Sequence, residues 1–171
     1  FWAFESNDVI PDIVTLGKPM GNGHPISAVI TTEKIAKSFD NGMEYFNSFG
    51  GNPVSLAIGK SVLEVIEKEK LQKNALKVGN YLKENLNHIK NKYSDKIIEI
   101  RGEGLFLGID LVKESNPNKP DAKLAKFIVN YCKELGVLIS TDGPFNNVLK
   151  IKPPIIFTKS NADFLVEAIN K

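Results

Sequence analysis

The apolar positions in residues 1–52 predict short strands on either side of a loop. Val, Ile and Leu side chains dominate residues 9–16 and 26–32, and both runs have the length and β-branched character of strands. Between the two runs, Pro19 and three glycines exclude regular structure. Thr32 stands where an N-cap would begin a short helix over residues 33–39. This part of the chain is therefore predicted to hold two strands, a glycine-rich loop and one helix.

The remaining residues predict an alternation of helices and strands. Apolar side chains recur three and four positions apart through two long helices after Asn52-Pro53, an N-cap followed by a proline at the first helical position. Beyond Lys96 the predicted elements are the strands Ile97–Arg101, Leu105–Val112, Val137–Ser140 and Val148–Ile151 and the helices Asp121–Leu135 and Lys159–Ile169. Ser115–Pro120 is predicted to be a surface loop. The predicted fold class is α/β, with an antiparallel sheet in the second half, whereas residues 1–55 carry too few strands to close an α/β sheet.

The composition is that of a globular chain, since 42% of the 171 residues are hydrophobic and 25% are charged. No apolar run approaches the roughly 20 residues that span a bilayer. Phe1–Glu5 lacks the basic segment of a signal peptide, and the missing initiator Met predicts a start inside a longer reading frame. The lone Cys132 cannot form an intrachain disulfide, which favours a reducing, cytoplasmic compartment.

The charge pattern argues against one class of function and singles out one residue. The net charge of +2 is too small to indicate a nucleic-acid partner, and an isoelectric point near 8.5 is the only support for that class. Of the 22 basic residues, 21 are lysines, and Arg101 is the only arginine. Because a guanidinium offers a planar fork of donors, Arg101 is a candidate for a role that a lysine cannot fill.

Lys18, in the glycine-rich loop, is the first candidate for chemistry. A lysine whose pKa is lowered by burial or by nearby positive charge is a suitable nucleophile toward an aldehyde cofactor. Gly17, Gly21 and Gly23 would let the backbone approach such a cofactor closely. The alternative is an ordinary loop lysine at a strand end, and the abundance of lysine favours that alternative on composition alone.

Residues 46–53 are the second candidate. Glycines before a helix start, with the hydroxyl of Ser48 nearby, can bind a phosphate through backbone N–H groups and the helix dipole. Alternatively, Gly50 and Gly51 only turn the chain and Asn52 only caps the helix. The two interpretations are compatible, and the capping interpretation needs fewer assumptions because it involves no ligand.

Four motifs, in order along the chain, resemble the class-III aminotransferases, which are pyridoxal-phosphate enzymes of fold type I. The motifs are Phe1–Phe4 continuing through Leu16–Gly23, then Phe46–Pro53, Ile100–Leu105 and Leu149–Pro154. Within that family, Gly17–Pro25, Met43–Asn47 and Val148–Pro154 look most like the ethanolamine-phosphate and 5-phosphohydroxylysine phospho-lyases. The resemblance implies roughly the C-terminal two-fifths of such an enzyme. It divides the chain into the end of the large cofactor-binding domain (1–55), connecting helices (56–93) and a small α+β domain (94–171).

The resemblance also implies roles for individual residues. Lys18 would form the Schiff base with pyridoxal 5'-phosphate. Ser48 stands where the family has a threonine that touches the cofactor phosphate of the neighbouring subunit, which implies a homodimer. Arg101 lies in an Arg-Gly-x-Gly-Leu turn whose role is mainly structural. Lys150 replaces the arginine that holds the substrate α-carboxylate in the aminotransferases, so Lys150 is the candidate substrate-binding residue.

The lysine at position 150 favours one reaction over another. It lacks the fork of an arginine, and ethanolamine phosphate has no carboxylate to hold. A phospho-lyase that releases aldehyde, ammonia and phosphate is therefore favoured, and a class-III transaminase is the alternative. A non-catalytic remnant of a split or degraded gene is the alternative from another class. His24 is interpreted as a hydrogen-bonded structural group and Cys132 as a core residue.

The resemblance further implies that several cofactor contacts precede Phe1. In the family these are the acidic partner of the pyridine nitrogen, the aromatic ring that stacks on the cofactor and the main phosphate loop. We therefore expect the isolated chain to bind pyridoxal phosphate weakly and to turn over little or no substrate.

Overall fold

The computed structural model describes residues 1–171, and their contacts group them into two units, Phe1–Lys70 and Leu71–Lys171. Each unit has its own sheet, of two strands in the first and five in the second. The division into three parts made from the sequence stays a prediction. None of the helices combines the length and the apolar character needed to cross a membrane.

The first unit is a two-stranded antiparallel sheet with two helices. Its elements are the strands β1 (Ile13–Leu16) and β2 (Ala28–Thr31) and the helices α1 (Glu33–Phe39) and α2 (Pro53–Lys68). Both strands are shorter than predicted, because β2 ends opposite Ile13 and leaves residues 9–12 without a strand to pair with. Thr32 is the N-cap residue of α1, as predicted, but its hydroxyl makes no capping hydrogen bond.

No hydrophobic side chain of the first unit is buried. Ile10, Met43, Phe46 and Phe49 are each at least 80% exposed. An isolated pair of strands is marginally stable in water unless further strands or a helix cover an apolar face. Residues 1–70 therefore form no apolar core of their own.

The second unit is an antiparallel sheet with three helices, in agreement with the predicted fold class. Its helices are α3 (Leu71–Lys92), α4 (Ala122–Glu134) and α5 (Lys159–Asn170). Its strands are β3 (Ile97–Glu103), β4 (Phe106–Lys113), β5 (Asn116–Pro120), β6 (Ser140–Asp142) and β7 (Val148–Ile151). The strand order is β3-β4-β7-β6, and β5 pairs with β4.

One face of this sheet and the apolar stripe of α3 form the core. Leu107, Ile109 and Leu111 alternate along β4 and are almost fully buried, as the period of a strand requires. They belong to one cluster with Leu82 and Leu86, which lie four residues apart on α3. Cys132 on α4 is buried and free, so its interpretation as a core residue is confirmed.

Two predicted elements of the second unit are wrong. Residues 116–120 form β5 rather than a loop, because Glu114 and Ser115 adopt left-handed backbone angles that fold the chain back beside β4. The predicted strand Val137–Ser140 begins only at Ser140, where the pairing with β7 starts opposite Lys150. Val137 and Ile139 are apolar because they pack against the core cluster, without being paired in the sheet.

Candidate functional site

Lys18 lies two residues after the end of β1, as the first residue of a 3₁₀ turn over Lys18–Gly21. Its backbone φ is 45°, in the left-handed region that a non-glycine residue adopts at a cost of about 1–3 kcal/mol. Its side chain is exposed, and its ammonium makes no ion pair or hydrogen bond within the chain. A strained backbone at a free amine marks this loop as a candidate reactive site.

The loop that carries Lys18 is packed against α2. A methyl group at Gly59 of α2 would lie 3.1 Å from Ile26 Cδ1, and one at Gly21 would lie 2.7 Å from Ile26 Cγ2. Both glycines are buried. Within the loop, the Asn22 amide donates to the Pro19 carbonyl at 3.0 Å, and the His24 amide donates to the Gly21 carbonyl at the same distance. Close backbone packing and local hydrogen bonds therefore fix the path of the chain from Lys18 to Ile26.

An open cleft of about 950 Å³ lies beside this loop. Its wall includes Lys18, His24, Ser27 and Ser55 as polar groups, and Ile26, Phe49, Val54 and Leu56 as apolar ones. His24 Nε2 lies 2.8 Å from Ser55 Oγ, so the interpretation of His24 as a hydrogen-bonded group is confirmed. Nothing in the sequence singled out Ser55, since its partner is 31 residues away.

The glycine-rich stretch before α2 uses its amides within the chain. Asn52 Oδ1 accepts from the amides of Val54 and Ser55, at 3.0 and 3.1 Å, which confirms the capping interpretation. Asn47 Oδ1 accepts in the same way from the amides of Phe49 and Gly50. These four donors are therefore engaged and are not free for a phosphate. Ser48 is exposed and is absent from the cleft wall.

Lys150 belongs to the second unit, in the middle of β7. It pairs with Gly108 of β4 and with Ser140 of β6 across the sheet. Its Nζ donates to the Asp142 carboxylate, which was not singled out from the sequence. This hydrogen bond, followed by that from the Gly143 amide, lowers the pKa of Asp142. An anion that binds Lys150 therefore has to share it with Asp142 or displace Asp142.

The Asp142–Lys150 pair makes a pH-dependent prediction. Because the folded pKa of Asp142 is depressed, the pair stabilises the fold above the unfolded pKa, and this contribution is lost as the pH falls through the folded pKa. Lys150→Met is expected to raise the pKa of Asp142 toward the ordinary value of an aspartate, as measured by carboxyl ¹³C chemical shifts against pH. Lys152→Met is the matched control, since Lys152 contributes only the smallest of the lowering effects. An unchanged titration in Lys150→Met would contradict the pairing.

Arg101 on β3 forms an ion pair with Asp110 on the neighbouring strand β4. Its Nη1 donates to Asp110 Oδ2 at 2.6 Å and to Glu99 Oε2 at 3.0 Å, and both contacts raise the pKa of the guanidinium. Asp110 Oδ1 accepts from the buried Asn147 at 2.6 Å, and Asn147 also donates to the Leu111 carbonyl. These contacts join β3 and β4 to the turn before β7. The mainly structural role inferred for Arg101 fits this geometry.

The cleft residues fit the aldehyde end of pyridoxal phosphate. Lys18 supplies the free amine, and Ile26 and Phe49 supply apolar surface for an aromatic ring. For the phosphate, the wall offers the hydroxyls of Ser27 and Ser55 and no arginine. No group of three or more His, Cys, Asp or Glu residues is arranged to hold a metal ion.

Comparison with known proteins gives a consistent family. The family model described as aminotransferase class-III matches residues 1–171. The alanine–glyoxylate aminotransferase 2-like protein of Drosophila melanogaster is 52% identical over 95% of the chain and 33% of its own length. The ethanolamine-phosphate phospho-lyase homolog 1 of Caenorhabditis elegans is 44% identical over the whole chain and 37% of its own length. The chain thus spans about a third of the length of the curated relatives that it matches.

A solved structure has the same fold. It is a phospholyase from Arthrobacter in complex with phosphoethanolamine, and it matches with a TM-score of 0.93 and 40% identity. The match covers 99% of this chain and 40% of the phospholyase chain.

Proposed function

The chain belongs to the class-III aminotransferase family, and on that premise we propose that it contributes the cofactor lysine, Lys18, to a phospho-lyase acting on a phosphorylated amine. The family resemblance and fold type I are confirmed, and the enzymes of this family depend on pyridoxal phosphate. The proposed substrate is ethanolamine phosphate or a related amine, and the proposed products are aldehyde, ammonia and phosphate. The proposal concerns the whole protein, since the chain spans about a third of its relatives.

One observation carries the proposal: the unpaired Lys18 amine on a strained turn at the wall of the cleft. The amine is exposed and has no ion-pair or hydrogen-bond partner within the chain, so no partner has to be displaced when it meets an aldehyde. Lys18 Nζ is therefore suited to bind the cofactor aldehyde and, when released, to move a proton at the substrate carbon next to nitrogen. The cofactor, when bound, supplies the electron sink for that carbon.

The choice of phospho-lyase rests on Lys150 and on one neighbour. Lysine at this position lacks the planar fork with which an arginine holds a carboxylate, whereas its point charge is suited to a phosphate. The neighbour with a TM-score of 0.93 is described as a phospholyase in complex with phosphoethanolamine. We therefore propose that Lys150 contacts the anionic group of the substrate, with Asp142 as its competing partner.

A transaminase is the second candidate. Two relatives named alanine–glyoxylate aminotransferase are 52% and 51% identical to the chain and a third, from Homo sapiens, is 41% identical, compared with 44% for the phospho-lyase homolog. In this alternative the same Lys18 would return the proton to the cofactor side, and the amino group would pass to a keto acid.

We also propose a homodimer in which Ser48 serves the cofactor of the neighbouring subunit. Two observations support it: Ser48 is exposed and outside the cleft wall of its own chain, and residues 43–49 are exposed throughout.

For the isolated chain we propose weak cofactor binding, because the cleft offers no arginine for the phosphate and the surrounding unit has no buried apolar side chain.

The deciding experiment is phosphate release by the full-length protein that contains this sequence. The loaded protein is incubated with ethanolamine phosphate and no keto acid, and inorganic phosphate and acetaldehyde are measured. Phosphate and acetaldehyde are expected in equal amounts. Ethanolamine, which lacks the phosphate, is the control substrate and is expected to give neither product. If no phosphate is released, and if glyoxylate is converted to glycine with alanine as the amino donor, the phospho-lyase proposal is rejected in favour of the transaminase.

A further inference from the structure

His24 and Ser55 form the one side-chain hydrogen bond recorded between the Lys18 loop and α2. His24 Nε2 lies 2.8 Å from Ser55 Oγ, and both side chains are half-buried. The two residues lie on the same cleft wall as Lys18. Ser55 is fixed in turn, because its amide donates to the cap Asn52 Oδ1 at 3.1 Å. The imidazole therefore joins the loop to a capped helix end.

The position of this bond matters because the rest of the loop is held by contacts of other kinds. The absence of a side chain at Gly59 lets α2 lie close to Ile26 of the loop, but apolar contacts are not directional. A hydrogen bond fixes distance and angle together. The left-handed backbone of Lys18 persists only if its surroundings hold it, and the His24–Ser55 bond is one such constraint at the far end of the same loop.

We propose that His24 is a positioning residue, which holds the loop on α2 through Ser55 so that the Lys18 amine keeps its place at the cleft wall. The proposal rests on the proposed function of Lys18. His24 need not touch cofactor or substrate in this role. A glutamine at position 24 can meet the Ser55 hydroxyl with either a donor or an acceptor, whereas a leucine of similar size cannot.

The first test is hydrogen exchange of the cofactor-free, full-length protein. Ser55→Ala and His24→Leu are expected to speed exchange of the backbone amides of residues 22 and 24 by about three- to tenfold, the equivalent of one lost hydrogen bond. His24→Gln is expected to keep the wild-type rate. Ser61→Ala is the matched control on the same helix, because the Ser61 hydroxyl bonds only to the Ala57 carbonyl one turn away.

The second test is the pH titration of the visible absorption of bound pyridoxal phosphate. Its midpoint is expected to shift by about half a pH unit or more in Ser55→Ala and His24→Leu, because the amine at position 18 is no longer held in one place. The midpoint is expected to stay at the wild-type value in His24→Gln and Ser61→Ala. A bond with a structural role alone would change exchange and leave this midpoint unmoved.

The outcomes separate the two proposals. Unchanged exchange in Ser55→Ala, an unmoved midpoint, or a His24→Gln variant that behaves like His24→Leu would each overturn the positioning role. If the cofactor is instead trapped by borohydride at a residue other than Lys18 in the wild-type protein, the proposed function fails, while the exchange result still tests the bond itself. Ser55→Ala keeps the test informative if His24→Leu does not fold.

Discussion

Lys18→Arg is expected to abolish the visible absorption of bound pyridoxal phosphate and to remove phosphate release by the full-length protein. Arginine keeps the positive charge, but its guanidinium does not deprotonate and cannot condense with an aldehyde. Loss of the proton transfer by itself lowers turnover by about 10²–10⁴-fold, and loss of the covalent attachment adds to this. Absorption spectra and phosphate release, recorded on the same preparation, measure both effects.

Two further variants distinguish loss of the Lys18 amine from loss of the loop conformation. Lys18→Gly suits the left-handed backbone at this position, so it is expected to lose activity as completely as Lys18→Arg while the loop keeps its conformation. Lys34→Arg, on the exposed face of α1, is the control and is expected to behave like the wild type. Borohydride reduction followed by peptide mapping is expected to find the cofactor on Lys18. A label on any other lysine would refute the assignment.

Gly79→Ala is expected to destabilise the second unit by about 3 kcal/mol or more. Gly79 is buried on α3, and a methyl group there would lie 2.0 Å from the carbonyl oxygen of Gly104. The clash is with backbone, so no side chain can rotate to relieve it. Gly104 itself has a φ of 55° in the turn between β3 and β4, which leaves the turn little freedom to move away.

The free energy of unfolding is measured in urea, with the far-UV circular dichroism signal of the helices as the monitor of unfolding. A loss of this size is a large fraction of the 5–15 kcal/mol that usually stabilises a domain. Asn80→Ala is the matched control, because Asn80 is the next residue of α3 and is exposed. It is expected to change stability by less than about 0.5 kcal/mol. Equal stability of Gly79→Ala and Asn80→Ala would show that α3 does not approach the turn as closely as described.

The first unit differs from the second in its packing. It carries the candidate lysine, yet none of its hydrophobic side chains is buried. The second unit, in contrast, buries a continuous cluster that joins α3 to its sheet. The loop that carries the candidate Lys18 thus lies in the unit without a buried apolar side chain, whereas the second unit has a core of its own.

The sequence by itself determined the local elements and the position of the candidate lysine. Helices with a clear apolar period and a cap were predicted well: α2 begins at Asn52-Pro53, and α4 and α5 agree with the prediction to within one residue at each end. These features depend on residues a few positions apart, so a single sequence records them. The glycines around Lys18 made it a candidate, and the resemblance of four motifs to the class-III aminotransferases gave it its predicted role.

Only the tertiary structure decided what these elements meet. The His24–Ser55 bond, the Lys150–Asp142 pair and the contact of Gly79 with Gly104 join residues 8 to 31 positions apart. The lengths of β1, β5 and β6 depended equally on which strand lay opposite. Pairing register and packing distance are set by the partner surface, and no local pattern of residues records that surface.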